Sequence, residues 1–271
     1  MNDMTHHGFE ELEPTAALSV EKVLWVRHWT DHLFSFAITR PPTFRFRSGE
    51  FVMIGLPGEK KPLLRAYSIA SAAYAEELEF LSIKVPDGPL TSRLCNVKAG
   101  DQLYLGRKPV GTLVADALTG GSRLFLLSTG TGLAPFLSVA RDPDIYDRFG
   151  QVVLAHSVRN VADLAYRQEL EAQLAGDPLV QDQALLQFHY HPTVTREPFR
   201  TTGRIDRLID SGELFQGLGG PHRFDPETDR VMLCGSMDMI KQTSAYLDSL
   251  GFTEGSNAKP GDYVIERAFV D

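Results

Sequence analysis

Arg65-Ala66-Tyr67-Ser68-Ile69-Ala70-Ser71 is the stretch whose reading decides the fold. It follows a turn built from Pro57, Gly58, Lys60, Lys61 and Pro62, and its letters fit a strand with alternating faces. Arg65 and Tyr67 then share one face, and Ala66 and Ser68 the other. An arginine brings a fork of donors for phosphate oxygens. A tyrosine brings a rigid surface for a flat ring. A serine brings one small hydroxyl able to donate to a ring nitrogen. An edge strand with a polar face would carry the same residues, so the surroundings must decide.

Upstream and downstream, the chain from Val20 to Leu118 reads as short strands: Glu21–Trp29, Leu33–Thr39, Phe51–Gly55, Ala66–Ala70, Leu78–Lys84 and Gln102–Gly106. Pro41-Pro42, Ser48-Gly49, Pro57-Gly58, Pro86–Pro89 and Ala99-Gly100 interrupt them. This is the pattern of an antiparallel barrel with Greek-key-like connections. One short helix is expected over Leu90–Val97, where free N–H groups, Gly88 and the Thr91 hydroxyl would seat a diphosphate. A helix opened by proline and capped by Thr91 is the plainer alternative. Residues 1–17 are polar and aperiodic and are expected to fray.

Gly120-Gly121 marks a linker, and the pattern then changes. Apolar runs Leu124–Leu127, Val152–Ala155, Leu185–Tyr190 and Val231–Leu233 alternate with helical segments Ala134–Ala140, Val161–Leu174, Ile205–Ser211 and Asp238–Leu250. A last strand is expected over Tyr263–Phe269. Strand–helix alternation with apolar strands predicts an α/β doubly wound parallel sheet. The reading is therefore a barrel domain over 18–119 and an α/β domain over 120–271. Gly130-Thr131-Gly132 stands between the first apolar strand and its helix, where a glycine turn admits a diphosphate. The full Gly-x-Gly-x-x-Gly fingerprint is absent, because Ala134-Pro135 occupy the place of the last glycine. A tight strand–helix corner would look the same. Arg159 and Arg196 follow successive strands; singly, each reads as a solvated charge. His189 and His191 share a strand face, but no third ligand accompanies them, so no metal site is expected. Cys234 reads as a small buried hydrophobe.

The Arg65-Ala66-Tyr67-Ser68 stretch resembles the flavin signature of the ferredoxin–NADP(+) reductase family. The resemblance continues through Lys84–Leu94, Gly130–Phe136 and Cys234-Gly235-Ser236, in the family's order, and spans roughly 18–271. The ending Ala268-Phe269-Val270-Asp271 is similar to the bacterial branch. The resemblance implies FAD on Arg65, Ala66, Tyr67, Ser68, Lys84, Val85, Gly88, Thr91, Ser92, Ala268 and Phe269. It implies NADP(H) on Thr129, Gly130, Thr131, Gly132, Arg159, Arg196, Arg204, Gly235 and Ser236, with Arg159 and Arg196 meeting the adenosine 2′-phosphate. It further implies hydride transfer between the two cofactors, single-electron exchange with ferredoxin or flavodoxin, Ser68 as donor to flavin N5, and Cys234 as a steric guide beside the nicotinamide. Glu266 is a candidate proton relay, or else a surface carboxylate paired with Arg267.

Composition narrows the alternatives. The formal net charge is −8, from 27 basic and 35 acidic side chains, which argues against nucleic acid as the main partner. Two cysteines are too few for a four-thiolate iron–sulfur cluster, so an electron carrier of that kind would be a separate protein. No disulfide framework, spanning segment or signal peptide is read, and a cytoplasmic monomer is expected. A flavin reductase component serving an oxygenase or cytochrome, and a non-catalytic flavin- or nucleotide-binding regulator, are the rival readings.

Overall fold

The computed structural model describes residues 12–85 and 87–267. The first half forms an antiparallel six-stranded sheet from β1 (Leu18–His28), β2 (Leu33–Thr39), β3 (Phe51–Leu56), β4 (Leu63–Ser68), β5 (Glu77–Ile83) and β6 (Gln102–Gly106), in the order β4-β3-β6-β1-β2-β5. A bridge between Ile69 and Phe80 brings the chain just beyond β4 back onto β5 and nearly closes the barrel. The alternation of β2 and β5 explains the arrangement. Phe34, Phe36, Ile38, Leu78 and Phe80 fill the barrel, whereas Leu33 and Leu81 point outward into a core shared with the second domain.

The second half carries a five-stranded parallel sheet in the order β11-β10-β7-β8-β9, built from β7 (Arg123–Thr129), β8 (Gln151–Val158), β9 (Phe188–Val194), β10 (Asp229–Gly235) and β11 (Tyr263–Arg267). Both sheet faces are covered, which is why its strands read as unbroken apolar runs. Along β7, Leu124 and Leu126 face one core, and Phe125 and Leu127 the other. The helices are α1 (Thr91–Leu94), α2 (Leu133–Ala140), α3 (Pro143–Arg148), α4 (Arg167–Glu171), α5 (Gln181–Gln187), α6 (Ile205–Asp210) and α7 (Met237–Ser249). Among the described residues, no helix is long and apolar enough to cross a membrane.

Several boundaries differ from the sequence reading. Residues 12–17 do not fray: Leu12 is buried, and its N–H donates to Gln102 Oε1 at 2.9 Å. The helix expected over Leu90–Val97 is a single turn, α1. The expected Leu185–Tyr190 strand is split, because α5 runs to Gln187 with Leu185 and Leu186 exposed and only Phe188 onward pairs with β8. The expected Val161–Leu174 helix is broken where Tyr166 adopts φ 58°, and Gln173 and Leu174 are left-handed too. Helix α3 was missed, although Asp142-Pro143 announces it: the Asp142 side chain accepts from Asp144 N at 3.1 Å and proline takes the first turn. The Tyr263–Phe269 strand is seen as far as Arg267; Ala268 and Phe269 lie outside the described residues.

Candidate active site

β4 pairs antiparallel with β3, matching Phe51 with Ser68 and Ile54 with Arg65. Tyr67 turns into the barrel, edge-on to Phe36 and Phe80, with its hydroxyl 3.2 Å from Ser82 Oγ. Only 9% of it is exposed. Arg65 is exposed; its guanidinium touches only the neighbouring Leu64 carbonyl, at 2.9 Å, and no carboxylate pairs with it among the described residues. Lys84 and Val85 are exposed at the mouth of the next loop. The Thr91 hydroxyl ties that loop by accepting from Val85 N at 3.1 Å. A Cβ on Gly88 would come within 2.5 Å of the same oxygen, so only glycine lets the loop fold so tightly there. The one-turn α1 places Thr91 and Ser92 at its start, both half-buried.

Ser68 meets the second domain directly. Its Oγ donates to Glu266 Oε1 at 2.8 Å. Glu266 lies on β11 in register with Cys234 on β10. Its second oxygen, Oε2, is buried and has no hydrogen-bond partner among the described residues. Burial pushes the carboxyl up to about 7, with the Ser68 hydrogen bond pulling the other way. Glu266 is thus no surface carboxylate. It borders an open groove of about 530 Å³ lined by Phe51, Gly111, Thr112, Glu254, Asn257, Ile265 and Glu266. A Cβ on Gly111 would stand 3.3 Å from Oε2, so glycine there keeps a side chain from crowding that oxygen. Cys234 is fully buried, and burial, with Glu266 nearby, pushes its thiol well above the usual range. It is a neutral thiol, unsuited to act as a nucleophile.

From β7 the chain proceeds outward through β8 and β9, then returns to the other side of β7 as β10. The sheet therefore changes direction between β7 and β10, and ligands of such sheets sit outside the strand ends at that point. Two turns interlock there. A Cβ on Gly132 would lie 2.3 Å from the Cys234 carbonyl oxygen, and one on Gly235 would lie 2.2 Å from Thr129 Oγ1. Ser236 N donates to Thr129 Oγ1 at 2.7 Å, while the Ser236 hydroxyl caps α7 by accepting from Met239 N at 3.4 Å. Gly130 (φ +55°) and Thr131 complete the first turn. His156, which sequence reasoning left without a role, is buried under it with Nε2 3.0 Å from the Gly130 carbonyl. Because that oxygen only accepts, Nε2 carries the hydrogen. Burial lowers the His156 pKa to about 4, so the ring is neutral near pH 7.

At the outer ends of β8 and β9, Arg196 N donates to the Arg159 carbonyl at 3.0 Å, which sets the two arginines side by side. Arg204 precedes α6 nearby, since Gly203 N donates to the Val194 carbonyl at 3.0 Å. All three are exposed, and none has an acidic partner among the described residues. Asp163, the nearest acid in sequence to Arg159, is already committed: it accepts from Asn160 N at 3.2 Å and faces His32 Nε2 at 3.0 Å. His189 faces Gln151 Oε1 at 2.5 Å, and no metal-ligating group of three occurs among the described residues.

Two family models match the chain: an oxidoreductase FAD-binding domain over residues 21–114 and an oxidoreductase NAD-binding domain over residues 126–245. A ferredoxin–NADP reductase of Pseudomonas aeruginosa is 54% identical over 255 residues, covering 94% of this chain and 98% of the relative. A flavodoxin/ferredoxin–NADP reductase of Rhodobacter capsulatus is 51% identical over 272 residues, covering 100% of this chain and 98% of the relative. The crystal structure of a ferredoxin NADP(+) reductase from Neisseria gonorrhoeae, with bound FAD and NADP, superposes with a TM-score of 0.84 at 34% identity, covering 94% of this chain and 100% of that one.

Proposed function

The chain belongs to the ferredoxin–NADP reductases, and from that premise we propose that its barrel (18–119) holds FAD, its α/β domain (120–271) holds NADP(H), and electrons leave singly to a ferredoxin or flavodoxin. The residues fit both cofactors. Among the described residues, Arg65 has no acidic partner and offers its guanidinium for the diphosphate, and Glu266 Oε2 is a buried oxygen without a hydrogen-bond partner. The interlocked Gly132 and Gly235 turns leave backbone, not side chains, at the sheet's switch point. When bound, the nicotinamide supplies a hydride to the flavin ring, which passes electrons on one at a time.

One observation carries the reading: a continuous chain of contacts joins the two sites. Ser68 on the flavin strand bonds Glu266, Glu266 lies in register with Cys234, and the Cys234 carbonyl abuts Gly132. The flavin edge and the nicotinamide would meet over this chain. Ser68 has one hydroxyl hydrogen, and it goes to ionised Glu266. With its carboxyl at about 7, Glu266 takes up a proton near neutrality and can donate to Ser68 Oγ instead. That reversal frees the Ser68 hydrogen for a ring nitrogen. Neutral Cys234 shapes the floor. Arg159, Arg196 and Arg204 receive the adenosine 2′-phosphate, and the two carboxylates beside them are engaged elsewhere: Asp163 with Asn160 and His32, and Glu197 with the Val161 N–H. The unpaired Cys95 and Cys234 fit a reducing cytoplasm.

The test is NADPH-driven reduction of a small dye and then of purified flavodoxin or ferredoxin. Both should proceed, with NADPH strongly preferred over NADH. A protein that binds FAD but oxidises neither cofactor overturns the reading.

A further inference from the structure

Helix α2 begins at the nucleotide turn and ends against the flavin strand. All eight of its residues are buried. At its start, Gly132 packs on the Cys234 carbonyl. At its end, Arg141 crosses to the barrel, where Nη1 donates to the Ala70 carbonyl at 3.3 Å, two residues beyond Ser68. An eight-residue helix is about 12 Å long and does not stretch. The same guanidinium bonds Glu169 at 2.9 Å and lies 3.8 Å from Glu79 Oε2.

Glu79 is the knot of this junction. Its carbonyl accepts from Ala70 N at 2.8 Å, and its N–H donates to Ser71 Oγ at 3.1 Å. Its other carboxylate oxygen accepts from the Tyr166 hydroxyl at 2.6 Å. Tyr166 reaches Glu79 across the domain boundary from a left-handed backbone (φ 58°), with its ring 4.8 Å from Trp29 of the barrel. A bulky residue in that conformation is strained, and it carries Tyr166 into the core that the two domains share.

We propose that Arg141, with Glu79 and Tyr166, is a positioning device that fixes the distance between the flavin strand and the nucleotide turn, and so the approach of nicotinamide to flavin. The inference rests on the function proposed above. Arg141 touches neither cofactor site. It acts through α2 and Ala70. Hydride transfer needs reacting atoms about 3–3.5 Å apart, and a misplacement of about 1 Å costs about a hundredfold in rate.

The experiment uses the FAD-loaded enzyme and its Arg141→Ala, Arg141→Lys, Tyr166→Phe and Glu79→Gln variants. Four quantities are read: FAD retention by fluorescence, NADP(+) affinity by calorimetry, thermal unfolding, and the single-turnover rate of flavin bleaching by NADPH with its deuterium isotope effect. Arg141→Ala should slow bleaching by about tenfold to a hundredfold and change the isotope effect, while NADP(+) affinity and FAD retention stay within about twofold. Arg141→Lys should recover part of the rate. Should Arg141→Ala not fold, the milder Tyr166→Phe and Glu79→Gln variants must show the same split on a smaller scale. Unchanged bleaching, or bleaching that falls only in step with affinity and unfolding temperature, overturns the inference. Wild type that fails to bleach with NADPH instead overturns the proposed function.

Discussion

Replacing Glu266 by glutamine should change how the stability of the enzyme depends on pH. The carboxyl rises from an ordinary 4.5 to about 7 because burial disfavours its charge. At about 1.4 kcal/mol per tenfold change in acidity, that difference is worth about 3 kcal/mol. The native state binds this proton more tightly than the unfolded chain does. The stabilisation is therefore fully present below the unfolded value and is lost as pH rises through the native one. Between about pH 5 and about pH 8, wild type should lose up to about 3 kcal/mol that Glu266→Gln keeps, because an amide has no proton to lose. Urea unfolding at saturating FAD, run for both proteins across that range, gives the difference directly. Turnover should bend near pH 7 in wild type and not in the variant. A stability difference that stays flat from about pH 5 to about pH 9 refutes the account of Glu266 as a buried, partly protonated relay.

Other substitutions test the remaining assignments. Arg65→Ala should weaken FAD binding by about tenfold, read by fluorescence titration, if its free guanidinium clamps the diphosphate. Arg159→Ala and Arg196→Ala should each lower kcat/KM for NADPH by about tenfold and the double variant by about a hundredfold, with NADH values steady; the low end of the charge-assisted range applies because both side chains are exposed. Lys60, Lys61, Arg65 and Lys108 are exposed on the barrel and carry no ion pair among the described residues, so reduction of an acidic carrier should slow with salt much more than dye reduction does.

The architecture was legible because burial writes it into the sequence. The short strands set off by proline and glycine turns announce a barrel, and the unbroken apolar runs of β7, β8 and β10 announce a sheet covered on both sides. The turns around Gly132 and Gly235 were legible because glycine stands where another stretch of chain approaches too closely for a Cβ. What stayed hidden depends on partners far along the chain. Nothing local marks Glu266 as the acceptor for Ser68, 198 residues away, or His156 as the support of the Gly130 carbonyl. Tyr166 looked helical by pattern, yet its contacts with Glu79 and Trp29 override that pattern. The Leu185–Tyr190 run failed for a related reason: apolar content alone does not separate an exposed α5 face from the start of β9.

The central claim is that one chain carries a flavin and a nicotinamide site joined through Ser68, Glu266 and Cys234. Anaerobic titration of the purified, FAD-loaded protein with NADPH, followed by absorption, tests it most directly. The account predicts a yellow protein whose flavin band is bleached by NADPH at close to one equivalent, with NADH far less effective. A colourless protein that takes up no FAD, or a flavin band left unchanged by excess NADPH, would contradict it.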